Sequence, residues 1–98
     1  MDVLTRMKLI HAGVQLLKDA LAAEAEKRPG RKVEDWTQAE AGAMCAAASR
    51  FAQRHGLRVP LLADVVRVER QARGHSDYAS KWALYVTELT LPSVPGQA

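Results

Sequence analysis

Val3, Met7, Ile10, Val14, Leu17 and Leu21 follow one another in alternating steps of four and three. At 3.6 residues per turn, that spacing lays all six side chains along one side of a helix. A chain that opens this way must bury a helical seam, against its own later segments or against a second chain. Leu9, Gly13, Leu16 and Ala20 lie beside the row and widen it in the middle. A strict two-per-heptad row marks a coiled coil, whereas a broader stripe suits a helix packed inside a bundle. The widening predicts that the seam faces the protein's own core, with a homodimer through the helix 1 seam as the alternative.

Local start and stop signals divide the rest into three more helices. Pro29-Gly30 ends the first, giving a helix over about 3–27, because proline disfavours helical geometry in the residue before it. Thr37 and Glu40 have the spacing of a capping box, with Trp36 just before it, so a second helix is predicted over about 37–55. Gly56 follows, a residue suited to the left-handed turn at a helix end. Ala39, Ala41, Ala43, Ala46, Ala47, Ala48 and Ala52 give this helix high propensity and let neighbours approach closely. Pro60 suits a first helical position and predicts a third helix over about 60–72, closed by Gly74. Ser76 and Asp77 are candidate caps for a fourth over about 77–89. Pro92, Ser93, Pro95 and Gly96 predict a mobile tail over 92–98. The expected fold is all-α, a compact bundle of about four helices forming a single domain over 1–91.

With 98 residues, a second core would be too small to stand alone. Cys45 is the sole cysteine, which excludes an internal disulfide and any multi-cysteine metal site and fits a reducing, cytoplasmic setting. Arg6, Lys8 and His11 interrupt the N-terminal apolar residues, so no signal peptide is expected. The uncharged run from Ala41 to Ser49 is far short of the ~20 residues that cross a bilayer, so no membrane span is expected.

The residues that could carry chemistry do not assemble into a catalytic pattern. His11, His55 and His75 share no metal-ligand spacing, so no metal site is expected. Cys45 sits among alanines without an activating neighbour and reads as a buried, inert thiol. Glu24 with Glu26, and Glu34 with Asp35, lack any sign of the burial that acid–base work requires. The stretch from Tyr78 to Leu84 resembles the active-site helix of short-chain dehydrogenases. There the lysine lies four residues after the tyrosine, whereas Tyr78 and Lys81 are three apart. The chain also lacks the glycine-rich nucleotide turn and alternating strands that such an enzyme needs. The reading is non-enzymatic, with no cofactor.

Two binding surfaces remain. Tyr78, Trp82, Tyr85 and Leu89 share one face of the fourth helix and include three of the chain's five aromatic residues. They read as a lid over the core or as a contact surface, since Tyr and Trp dominate interface hot spots. With Arg67, Arg70 and Arg73 nearby, the second alternative gives a binding site for an unidentified protein partner: Tyr78, Trp82, Tyr85, Arg67, Arg70 and Arg73. An adaptor, inhibitor or regulatory subunit would act this way.

The other surface is basic. Net charge is +3, and Arg50, Arg54, Arg58, Arg67, Arg70 and Arg73 face only Asp64 and Glu69 between positions 50 and 73. Ala52, Gly56, Leu57, Leu62 and Val65 resemble the framework of a helix-turn-helix at about 48–70. That resemblance implies DNA binding, with Arg58, Ala63 and Arg67 facing the groove and Arg54, Arg70 and Arg73 near the phosphates. Pro60, Asp64 and a third helix that reads as apolar around much of its circumference depart from the motif. The DNA-binding regulator, through Arg54, Arg58 and Arg67, is the alternative function.

Overall fold

The structure is a computed structural model and describes residues 1–27, 29, 30 and 38–92, with backbone alone at 38–40. Four helices make up the fold: α1 (Val3–Glu26), α2 (Gln38–Arg54), α3 (Leu62–Ala72) and α4 (Tyr78–Thr90). The all-α expectation holds. Arg28, Arg31, Lys32, Glu34, Asp35, the Trp36–Thr37 part of the capping signal and the tail over 93–98 lie outside the described residues.

The helices form a ring in which α1 packs on α2 and α4, and α3 packs on the same two from the opposite corner. Side chains from all four fill the centre. Leu17, Ala47, Ala48, Val65, Trp82 and Val86 are each buried to within 1% of completely. Burying a side chain the size of leucine contributes roughly 1.5–3 kcal/mol, so this layer supplies much of the stability. Ala41, Ala47, Ala48 and Ala52 are buried along α2, as expected of a closely packed alanine-rich helix.

Each helix end has a local cause. Asp2 caps α1, accepting from the Thr5 amide at 2.7 Å. That amide, aided by the neighbouring hydrogen-bond donors, holds the Asp2 carboxyl below its usual range. At the end of α2, Gly56 takes φ of 65°. The Leu57 amide then donates to the Ala52 carbonyl at 2.7 Å and the Gly56 amide to Gln53 at 3.4 Å. This is the Schellman pattern that satisfies two orphan carbonyls.

Two expected start signals act differently from their reading in the sequence. The third helix does not begin at Pro60, which is buried in extended chain and accepts from the Cys45 thiol at 3.7 Å. Leu61 occupies the cap position and helical hydrogen bonding starts after it. Asp77 holds the cap position of α4, but its side chain makes no capping bond.

The crossing of α1 with its neighbours is set by a glycine. A β-carbon at Gly13 would lie 2.5 Å from Thr87 Cγ2, 2.9 Å from Thr87 Oγ1 and 3.1 Å from Phe51 Cε1. Gly13 is therefore the point of closest approach to both α2 and α4. Phe51 and Thr87 each lie three residues before the end of their helices, at Arg54 and Thr90. Since α1 runs antiparallel to both, its residues before Ile10 extend past the two neighbouring helices, over roughly 10 Å at 1.5 Å per residue.

Candidate functional site

The overhang leaves two of the six seam residues, Val3 and Met7, uncovered. Leu17 and Leu21 are buried, whereas Val3, Leu4 and Met7 are 57%, 63% and 61% exposed. Val3 and Met7 belong to the same strip as the buried residues, but no helix stands opposite them at their level. Beneath the overhang lies an open cleft of about 620 Å³, lined by Met1, Leu57, Arg58, Leu91 and Pro92 among others. Its floor is formed where the α2–α3 connection meets the end of α4. The Arg58 amide donates to the Thr90 carbonyl at 3.2 Å, and Arg6 Nε reaches the Pro92 carbonyl at 3.5 Å. Cations border the region: Lys8, Arg54 and Arg58 are exposed.

The aromatic stripe has a different fate. Tyr78 is 7% exposed and Trp82 1%, so these two belong to the lid over the core rather than to an exposed contact surface. Trp82 Nε1 donates to the Val65 carbonyl at 3.2 Å, which satisfies the indole without water. Tyr85 and Leu89 are half-buried and pack against the same cluster. Neither Tyr78 nor Trp82 offers a partner appreciable area unless the bundle opens.

The arginines expected beside them are split along the bundle. Arg67 pairs with Asp64 at 3.4 Å, and Arg73 Nε donates to Glu69 Oε1 at 2.7 Å. Arg70 is exposed on the outer face of α3. Arg58 lines the cleft, and Arg54 is the last residue of α2. Arg73, by contrast, is held next to the start of α4, because the Glu69 oxygen it touches also accepts from the Tyr78 hydroxyl at 2.5 Å. That shared carboxylate latches the end of α3 to the start of α4. Charge-assisted bonds to a nearly buried acceptor are the stronger kind. A charged residue on the otherwise apolar side of α3, with Val65, Val68 and Ala72, was the sequence signal for it.

The DNA-reading geometry is altered too. Residues 55–61 separate α2 from α3, a longer connection than the three or four residues of a helix-turn-helix. On the other hand, α3 is less apolar around its circumference than its sequence suggests. Ala63, Arg67, Arg70 and Gln71 form an exposed polar strip opposite buried Val65, Val68 and Ala72.

The chain matches no protein-family model, no curated protein and no solved structure. Its function must be read from these surfaces.

The potentially reactive groups lie apart from the cleft and from one another. His11, His55 and His75 are all exposed, and no three His, Cys, Asp or Glu side chains converge on a metal-sized space among the described residues. Cys45 is half-buried rather than fully buried as expected. Glu24 pairs with Lys27 at 3.3 Å at the far end of α1. Among the described residues, no helix is long and apolar enough to cross a membrane.

Proposed function

We propose that this chain is a small non-enzymatic protein-binding module, an adaptor, inhibitor or regulatory subunit, whose contact surface is the uncovered end of α1 and the cleft below it. The observation that carries the reading is the row Val3, Leu4 and Met7, each more than half exposed on two successive turns. Scattered apolar residues on a surface need no explanation, but a contiguous group on one element is characteristic of interaction sites. The function expected from the sequence is kept, and its surface moves from α4 to α1.

The test is affinity capture from native lysate with the wild-type chain and with Leu4→Glu/Met7→Glu, before and after nuclease treatment. A protein retained by the wild type and lost by the variant supports the reading. Equal retention by both sinks it, provided the variant keeps its helical circular dichroism.

A second reading, DNA binding, rests on the polar strip Ala63, Arg67, Arg70 and Gln71, with Arg54 and Arg58 beyond the start of α3. It requires duplex retention that falls steeply with salt, as counterion release dictates. Absence of a mobility shift at ~50 mM salt removes it.

A further inference from the structure

We infer that the partner segment seated on the overhang and cleft is an acidic amphipathic helix. This rests on the protein-binding reading above and adds the chemistry of the occupant. Charge decides it. The segments that build this end of the bundle, 1–12, 50–62 and 90–92, contain Arg6, Lys8, Arg50, Arg54 and Arg58 against Asp2, while Asp64 in the first turn of α3 is paired with Arg67. The Asp2 carboxylate is already engaged as the cap of α1, and Glu88, exposed in the last turns of α4, is the nearest other acid in sequence to the cleft lining. Arg6 is turned to the Pro92 carbonyl. Lys8, Arg54 and Arg58 are exposed and make no ion pair with the described residues. Exposed Val3, Leu4 and Met7 on α1, with unpaired cations on the same end of the bundle, are complementary to a segment that carries an apolar stripe flanked by carboxylates.

The same features disfavour a second copy as the occupant. Pairing two overhangs about a two-fold axis brings Arg6 and Lys8 of one copy toward their counterparts in the other. Burial of Leu17 and Leu21 in the protein's own core leaves a homodimer seam nothing beyond the N-terminal turns. The apolar centre argues in turn against nucleic acid, whose backbone offers no counterpart to Val3, Leu4 and Met7.

Two labelled synthetic peptides test this, each with the same leucine–alanine stripe, one with a glutamate polar face and one with lysine. Fluorescence anisotropy should show the acidic peptide binding about tenfold tighter than the basic one, the sum expected of a few exposed ion pairs. The difference should shrink at high salt. Lys8→Glu/Arg58→Glu should reverse the preference, and Leu4→Glu should weaken both peptides with helicity intact. Equal affinity for the two peptides, tighter binding of the basic one, or no binding of either overturns the inference. So does tighter binding to a DNA duplex or to phosphatidylglycerol vesicles, or a mass that doubles with concentration in sedimentation. If the lysate partner is lost with Leu4→Glu/Met7→Glu but is indifferent to Lys8→Glu/Arg58→Glu, the charge inference alone fails.

Discussion

The two halves of α1 carry the same apolar rhythm and lead opposite lives. From Gly13 to Leu21 the seam is walled by α2 and α4, whereas at Val3 and Met7 it is more than half exposed. Periodicity states which side of a helix wants burial. It does not state whether anything stands opposite at a given height, because that depends on where the neighbouring helices stop. Here α2 and α4 both end three residues past their contact with Gly13, and that coincidence creates the exposed end.

The sharpest blow to the walled half is loss of a wall. Trp82→Ala removes a fully buried indole from the cluster that holds Leu17 and Leu21, and should cost about 3–5 kcal/mol. For a domain of this size that approaches the whole of its stability, so urea unfolding should begin without a native baseline. Survival of a native baseline would mean that Trp82 is not the core residue its burial indicates.

Leu17→Ala should cost about 2–5 kcal/mol in the same assay, since its side chain is completely enclosed. Gly13→Ala tests the boundary between the halves. The new methyl meets Thr87 and Phe51 below van der Waals distance, and overpacking of this kind costs about 1–3 kcal/mol. Thr87→Ala in the same chain should recover part of that loss, so a double-mutant cycle must show coupling. Additive effects would place the contact elsewhere.

Met7→Ala should leave stability within about 0.5 kcal/mol. A loss comparable to that of Leu17→Ala would erase the contrast between the halves. The smallest effect concerns the cap. The folded pKa of Asp2 is depressed below 3.8, so the cap's contribution is fully present above that pH and is lost as pH falls through the lower folded value. The protection factor of the Thr5 amide should fall there before protection in the walled half does. Simultaneous loss of protection in both would tie the tip to the core.

Much of the fold was legible beforehand. The four helices lie within two residues of their expected bounds wherever those bounds fall among the described residues, because Gly56, Gly74 and the proline pairs act locally. What escaped notice depends on relations between distant segments. Trp82 and Tyr85 share a face in any helix, yet the depth to which each sinks is decided by Val65 and Glu69 on another helix. Pro60 carried a helix-start signal, but it lies in the connection before α3, where its carbonyl accepts from Cys45 and the extended Leu61 takes the cap position. Of the candidate site, Val3 and Met7 were visible as seam residues; Leu57, Arg58, Leu91 and Pro92 come together only when the α2–α3 connection meets the end of α4.

Gly13 also fixes how far the tip can reach. Sliding α1 by one turn, about 5.4 Å, would push Leu9, Ile10, Leu16 or Leu17 into the notch where even a methyl group is crowded by Thr87. The helix is keyed in place like a bolt in a slot. A visiting molecule therefore meets a bracket of constant length and cannot draw it in or out.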